Sequence, residues 1–291
     1  MRRKIFATAL MIGAAIPMLS ACYIPRAYGQ SHGRSRTDDR SRSDDSSSSD
    51  KPFTWSGTVR EGRWVYVRNL NGPVRVEQGT GSKVEVRAEK RWRRGDPEDV
   101  KITVRQSGGN DGDVIVCALW NDRSSCDEDG YHSHSDGWWN NNNRIVVQVE
   151  FVVKLPAGLK VDASTVNGGV EIDGATSEVV AHTVNGSVEA RSTGGPVSAR
   201  TTNGDITVRS ASIDREHTEY STTNGSITVE LPASVNADID MRTVNGHLSS
   251  DFPLTVEGSF SPRRMHATLG KGGATLRLST VNGSIRLRKL S

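Results

Sequence analysis

Two carboxylates occupy equivalent places in a repeated motif, where they could do acid–base chemistry. Glu171 and Glu189 lie 18 residues apart, each three residues after the glycine of an Asn-Gly pair. Cleavage of a polysaccharide needs paired carboxylates, or a base beside a cation, on one face. The same position in the other copies holds Thr207, Thr228, Ser249 and Arg286. Surface charge explains the pair equally well, so we expect no catalytic residues and no enzyme.

A second group of side chains could hold a metal ion. His132, His134 and Asp136 follow the acidic run Asp127-Glu128-Asp129, and His-Xaa-His with carboxylates resembles a ligand set. The spacing matches no specific metal motif, and a solvated acidic loop explains these residues as well. The sequence therefore predicts no metal and no other cofactor.

Cys22 is a candidate for lipid attachment. Basic residues at positions 2–4 precede an apolar run, which ends at Leu19-Ser20-Ala21-Cys22. The run is short and contains Pro17, so it is typical of a signal peptide rather than a membrane span. The tetrapeptide resembles the lipobox of bacterial lipoproteins, in which the cysteine thiol accepts the lipid. We predict a lipoprotein signal peptide over 1–21; an ordinary cleaved signal is the alternative.

Residues 22–52 are predicted to be a lipidated, disordered tether. The segment is rich in Ser, Arg and Asp, and residues 31–51 carry five basic and five acidic side chains. Such a composition buries too little apolar surface to offset the entropy of ordering. The interleaved acids and export argue against a nucleic-acid partner. Tyr23 stands where an inner-membrane retention signal would place Asp, so we expect a lipid anchor in the cell envelope, at the outer rather than the inner membrane.

Residues 53–291 contain the repeat that must position every candidate side chain. Thr-Xaa-Asn-Gly occurs six times, and its asparagines are spaced 18, 18, 21, 21 and 37 residues apart. They are Asn167, Asn185, Asn203, Asn224, Asn245 and Asn282. A fixed period near twenty residues is typical of stacked units that bury their faces against one another. A degenerate copy at Asn71-Gly72 extends the array towards the N-terminus.

Alternating parity on both sides of each Asn-Gly predicts which side chains face inward. One parity is apolar or small, as at Val188, Ile206 and Ile227, and the other is polar. The low aromatic content predicts a core of Val, Ile, Leu and Ala. The motif threonines fall on the inward parity, where their hydroxyls can satisfy backbone groups of the corner.

Two topologies are compatible with these strands. In an antiparallel meander, Asn-Gly would form type I′ hairpin turns. In a β-solenoid, each repeat is one coil, and the asparagines can hydrogen-bond to one another as stacked amides do. The near-identity of the corners favours the second, an all-β, single-chain solenoid of stacked 18–21-residue rungs. Asn and Gly both tolerate positive φ, which would allow a tight corner.

A loop inserted at about 111–143 interrupts the array. Its asparagine run, glycines and paired Trp138-Trp139 are typical of a loop rather than a strand. We predict that Cys117 and Cys126 form a disulfide at its root, with a metal or catalytic role as the alternative. Trp138 and Trp139 either pack on the solenoid or contact a partner. Next to the array, Lys90 to Arg94 form a basic cluster around Trp92; it could meet acidic polysaccharide or lipid headgroups, or be a solvated strand end.

The end of the chain resembles a known family. Leu155-Pro-Ala and Leu231-Pro-Ala each precede an apolar-Asp pair and Thr-Val-Asn-Gly, and Leu269-Gly-Lys-Gly-Gly273 precedes the last copy. This order is similar to the bacterial "putative adhesin" family, a domain of unknown function. The resemblance spans about 55–289 and implies a β-solenoid on an envelope protein, without catalytic residues.

Taken together, these features predict a non-enzymatic, lipid-anchored envelope protein whose solenoid surface serves adhesion, binding or scaffolding. Its partners would be the membrane, through lipid on Cys22, and an envelope protein or polysaccharide. The alternatives are a carbohydrate-active enzyme on a β-helix and an accessory of an envelope-stress pathway.

Overall fold

Short strands, most of them paired in parallel, are stacked in two large sheets in the computed structural model. The structure describes residues 47–48, 51–107, 112–133, 146–214, 217–256 and 261–290, with backbone alone at 47–48, 217 and 256. All of these belong to one compact unit, Asp44–Ser291. The predicted signal peptide, Cys22 and most of the predicted tether lie outside the described residues.

The strands are short and regularly spaced. They are β1 (Ser47–Ser48), β2 (Phe53–Thr58), β3 (Trp64–Arg68), β4 (Val74–Gln78), β5 (Lys83–Arg94), β6 (Lys101–Gln106), β7 (Val114–Leu119), β8 (Ser125–Cys126), β9 (Tyr131–His132), β10 (Val146–Leu155), β11 (Lys160–Ser164), β12 (Val170–Ala175), β13 (Val179–His182), β14 (Val188–Ser192), β15 (Val197–Arg200), β16 (Ile206–Ser210), β17 (His217–Ser221), β18 (Ile227–Leu231), β19 (Ala237–Arg242), β20 (Leu248–Ser250), β21 (Thr255–Val256), β22 (Arg264–Leu269), β23 (Ala274–Ser279) and β24 (Ile285–Lys289). A 3-10 turn covers Pro97–Asp99. In the part of the chain that the structure describes, no helix is long and apolar enough to cross a membrane.

Each coil passes from the second sheet, through an Asn-Gly corner, into the first sheet. The first sheet has the order β1-β5-β10-β4-β12-β14-β16-β18-β24-β20, with β2 also paired to β5. The second has the order β21-β22-β19-β23-β17-β15-β13-β11-β3-β7-β6. Pairing is parallel from β4 to β20 and from β7 to β19. The prediction of a β-solenoid is therefore confirmed, and a hairpin meander is excluded for these coils.

The inward columns form one apolar core between the sheets. Val188 lies in register with Val170 and Ile206, and all three are at most 1% exposed. Valine, isoleucine, leucine and alanine dominate this core, with Phe151 and Tyr220 as large aromatic members. The predicted assignment of inward-facing side chains is thus confirmed, because equivalent residues of successive coils lie in register and are buried between the sheets. The interval between Asn203 and Asn224 has three extra residues, and β16 ends at Ser210 while β17 begins at His217.

The last coil departs from sequence order. β24 enters the first sheet between β18 and β20, and β23 enters the second between β17 and β19. The coil of Asn245 is therefore displaced outward, and the coil of Asn282 is inserted beneath it. This explains the 37-residue interval, in which β20, β21 and β22 are completed before the chain returns. The repeat alone did not predict this exchange.

Candidate functional site

The Asn-Gly corners form one continuous edge of the solenoid. Five of the six motif asparagines, all except Asn167, donate a side-chain hydrogen bond to the amide oxygen of the preceding asparagine in the stack, over 2.7 to 2.9 Å. The spatial order is Asn167, Asn185, Asn203, Asn224, Asn282, Asn245. These six side chains are exposed. The Nδ2 of Asn71, at the other end, donates to the carbonyl oxygen of Val147 over 2.6 Å.

The motif threonines form a second, buried column beneath the asparagines. The hydroxyl of Thr183 donates to the carbonyl oxygen of Gly168 over 2.8 Å, and Thr201 repeats the contact with Gly186. The other four threonines make the same bond to the glycine one coil below. Because the threonines are buried and their hydroxyls already donate to corner carbonyls, we interpret them as structural residues of the corner and not as ligand contacts.

The motif glycines allow the corners to stack closely. The φ angles of Gly168 and Gly204 are 159° and 158°, which is close to extended backbone. A Cβ at Gly186, however, would come well under 3.0 Å from the carbonyl oxygen of Gly168 in the coil below. Four of the six motif glycines thus have the expected positive φ, and the close approach of neighbouring backbones gives a second, steric reason for glycine in the corner.

The second position of the motif adds an exposed column that sequence reasoning missed. Val184, Val244 and Val281 are 40%, 53% and 40% exposed, and Thr202 and Thr223 occupy the same position in the middle coils. The sequence did contain a signal for this column, since the second position of the motif is always valine or threonine. The corner edge thus presents β-branched side chains beside amides in a regular array.

We expect Asn203→Ala to lower the free energy of unfolding by about 1 kcal/mol. The substitution removes the bonds to Asn185 and from Asn224, of 2.8 and 2.7 Å. Water can replace them because the amides are exposed, so the loss is smaller than for buried groups. Urea denaturation measures it, with the neighbouring exposed Thr202→Ala as the control. Equal stability of the two variants would show that the amide ladder contributes nothing.

The inserted loop begins where an Asn-Gly corner would otherwise stand. β7 lies in the second sheet and β10 in the first, beside β3 and β4 respectively, so the chain leaves the sheets only after Leu119. Cys117 of β7 and Cys126 form a disulfide, with 6.2 Å between their Cα atoms. Both are buried, in a small cluster with Ile115 on the outer side of the second sheet.

Arg68 holds the root of this loop against the solenoid. Its guanidinium is bound bidentately by the Asp162 carboxylate, at 2.6 and 3.0 Å, and also donates to the carbonyl oxygens of Asp127 and Glu128. The Arg68 side chain is 3% exposed, so the charge is buried together with its partner. Nearby, burial lowers the pKa of His182, and the cationic Arg200 and Arg68 add to this effect. The arrangement is that of a structural clamp.

The acidic run beyond the clamp forms a turn. Asp127 accepts hydrogen bonds from the backbone of Asp129 and Gly130 and lies 2.8 Å from the His132 ring. The bond to His132 is the main cause that lowers the pKa of Asp127. Within the described ranges, no three potential ligands are grouped for a metal. His134, Asp136, Trp138 and Trp139 lie outside the described residues, so the contact role of the tryptophans stays a prediction.

We expect the exported protein to contain no free thiol, and reduction to destabilise it by roughly 2–3 kcal/mol by the chain-entropy argument. Mass spectrometry with thiol alkylation counts the thiols, and urea denaturation with and without reductant measures the difference. A Cys117→Ala/Cys126→Ala variant is the control, because reductant must leave its unfolding unchanged. Two alkylated cysteines in the untreated exported protein would contradict the pairing.

The candidate catalytic carboxylates lie side by side on the outer face of the first sheet. Glu171 and Glu189 are direct neighbours in register and border a shallow depression of about 200 Å³. Each is engaged by an arginine, Glu171 by Arg75 and Glu189 by Arg191, both at 2.9 Å. Their side chains are 51% and 50% exposed. They are therefore solvated members of surface ion pairs.

The basic cluster around Trp92 is also partly neutralised. Lys90 lies 3.7 Å from Glu98, and Arg91 lies 3.3 Å from Glu150. Trp92 is partly buried against the core. This cluster is the end of strand β5, where Arg91 is solvated while the Lys90 side chain is largely buried.

The stacked Asn-Gly corners and the buried threonine column define the chain as a β-solenoid. The sequence profile of the family described as Toastrack DUF4097 matches residues 133–288. The chain belongs to this family, and the resemblance found in the sequence is confirmed. A comparison with curated proteins gave no significant match.

Solved structures with similar folds cover most of the chain at low identity. A "putative cell adhesion protein" of Clostridium sporogenes is 12% identical, with 82% of this chain and 100% of that chain covered and a TM-score of 0.44. A "putative adhesin" of Bacteroides fragilis is 14% identical, with 82% and 98% covered and a TM-score of 0.37. A "putative lipid binding protein" of Parabacteroides distasonis is 11% identical, with 83% and 98% covered and a TM-score of 0.26. Similarity at this level carries no conclusion about function.

Proposed function

We propose that the protein is a lipid-anchored component of the bacterial cell envelope that works without catalysis, by presenting its solenoid surface to a partner. The observation that carries this proposal is the unbroken stack of corners from Asn71 to Asn245. Seven stacked corners at strand spacing span about 29 Å. A rigid, regular edge of this length suits adhesion, binding or scaffolding, since little ordering entropy is lost when a preorganised surface binds.

The state of the outer carboxylates supports a non-enzymatic role. A pair that cleaves glycans must be fixed around the scissile bond, whereas Glu171 and Glu189 are solvated and engaged by Arg75 and Arg191. The test is a screen of the purified protein on envelope and capsular glycans. We expect no turnover. Turnover that is lost in both Glu171→Gln and Glu189→Gln would instead establish a carbohydrate-active enzyme.

The anchor is proposed from Cys22 and the apolar run before it. Lipidation at this position would attach the protein to the envelope, at the outer membrane if Tyr23 acts as the retention rule implies. Cys22→Ser should move the protein from the membrane fraction to the soluble fraction, and a labelled fatty acid should mark the wild type but not the variant. An unlabelled wild type would defeat this part of the proposal while leaving a surface role intact.

The partner is proposed to be an envelope protein or a polysaccharide. Binding of either should survive Glu171→Gln, because the proposed role needs a surface and not a reaction. Nucleic acid is not proposed, since the net charge of the whole chain is only +3 and a phosphate polymer calls for a strongly basic surface.

A further inference from the structure

Charge is distributed very unevenly along the folded part of the chain. Residues 51–260 contain 22 Lys and Arg against 29 Asp and Glu, whereas residues 261–291 contain seven Lys and Arg and no acid. The last 31 residues therefore carry +7, and the preceding 210 carry −7, from 22 − 29. The position of this final segment in the fold therefore determines where positive charge is concentrated.

The exchanged order of the last two coils determines the position of β24, which carries two of these arginines. Since β24 is inserted between β18 and β20, Arg286 lies in register between Thr228 and Ser249 on the outer face of the first sheet. Arg288 lies opposite Glu230. Both arginines are exposed, and they project from the same face because they are two residues apart in one strand.

These two arginines differ from the arginines in the middle of the same face. Five arginines on the outer face of the first sheet, between β5 and β18, each have a carboxylate partner within 3.5 Å: Arg75, Arg87, Arg91, Arg191 and Arg209. Among the described residues, neither Arg286 nor Arg288 forms an ion pair. Glu230, which faces Arg288, is already bound by Arg209 at 2.7 Å. The arginines of β4, β14 and β16 are therefore neutralised by carboxylates, whereas those of β24 are not.

An unpaired pair of guanidinium groups on a rigid strand is suited to an anionic ligand. Arginine donates two parallel hydrogen bonds to a carboxylate or phosphate, which a point charge cannot do. The hydroxyls of Thr228 and Ser249 flank Arg286 and can donate or accept further bonds. The surface is open and flat rather than enclosed, so it fits a polymer lying across the strands better than a small molecule, which would need a cavity.

We propose that Arg286 and Arg288 form a binding site for an acidic polysaccharide, with Thr228 and Ser249 as flanking polar contacts. This site deepens the proposed surface role and rests on it. The position of the two arginines favours a polysaccharide over the membrane as the ligand, because they lie far from the strand that follows the predicted tether. β2, which follows the predicted tether, pairs with β5, and β24 lies seven strand spacings from β5 in the first sheet, about 34 Å away.

The test uses the full chain with Cys22→Ser, so that binding is measured in solution whether or not Cys22 is lipidated. The probes are polygalacturonate, which carries carboxylates, and polyphosphate, with neutral dextran as the blank. We expect polygalacturonate to bind, binding to weaken as salt is raised, and Arg286→Gln/Arg288→Gln to reduce the affinity about tenfold or more. The matched control is Arg75→Gln/Arg191→Gln, which removes two paired arginines from the same face at a distance from β24 and should change the affinity less than twofold.

Each other outcome counts against the site. Equal losses in the two double variants would mean that binding follows net charge alone. Binding to polyphosphate but not to polygalacturonate would mean that the surface selects phosphate rather than the carboxylates of a polysaccharide. Binding only to vesicles of phosphatidylglycerol would assign the patch to a membrane. If the wild type binds neither polymer, the site is refuted, while the anchor and a surface role elsewhere on the solenoid remain separately testable by fractionation.

Discussion

Gly186→Ala is expected to lower the free energy of unfolding by about 3 kcal/mol or more. The new methyl group would point at the carbonyl oxygen and carbon of Gly168, which belong to the backbone of the coil below. Neither can rotate away, because Gly168 N donates to the Asn185 carbonyl and its own carbonyl oxygen accepts from Thr183. The coils must therefore separate at a central interface, and a solenoid depends on every interface between neighbours.

Urea denaturation measures the effect, and Gly81→Ala supplies the matched control. Gly81 has only the backbone nitrogen of Lys83 near its hypothetical Cβ, at 4.0 Å, so the same change of residue should cost little there. If the Gly186 and Gly81 variants unfold at the same urea concentration, close stacking of the corners is not what requires glycine.

The corner column is the part of the fold that the sequence predicts best. Thr, Asn and Gly recur at fixed places because each coil offers the same contacts to the next, so local identity encodes a long-range contact. The parity of the strands is equally legible, since Val188 must face the core in the same way as Ile206. The degenerate copy at Asn71 was recognisable for the same reason, and it forms the first corner of the stack, beside Asn167.

The exchange of coils could not be predicted from the repeat. Identical corners make Asn282 as good a neighbour for Asn224 as Asn245 would be, because the motif carries no information about order. The antiparallel pairing of β22 with β19 decides the order, and its residues carry no repeat signature. The candidate polyanion site depends on this exchange, so Arg286 and Arg288 drew no attention as a pair in the sequence.

The surface arginines illustrate a second limit of sequence reasoning. Arg191 and Arg286 both occupy outward positions of equivalent strands, yet one has a carboxylate partner and the other has none among the described residues. That difference arises from the strand that lies alongside, which is known only once the order of coils is known. Charge along the chain indicates an asymmetry, but only the register shows which charges remain uncompensated.

Val188→Asp, a substitution in an inward column, is expected to lower the free energy of unfolding by about 4 kcal/mol or more. Val188 is 1% exposed and lies between Val170 and Ile206 in the first sheet. A carboxylate there would lose its water without gaining a partner, because its neighbours in the core are apolar. It would also remove the methyl groups that pack against both adjacent coils.

Val184→Asp provides the control, because it is the same substitution four residues earlier in the same coil. Val184 is 40% exposed at the corner edge, where a carboxylate remains hydrated, so the change should be within about 0.5 kcal/mol of neutral. Urea denaturation compares the two variants, and circular dichroism tests whether Val188→Asp still folds. A Val188→Asp protein as stable as Val184→Asp would mean that the inward columns are wrongly assigned. Since those columns place every outward residue, such a result would also remove Arg286 and Arg288 from the shared outer face on which their proposed role depends.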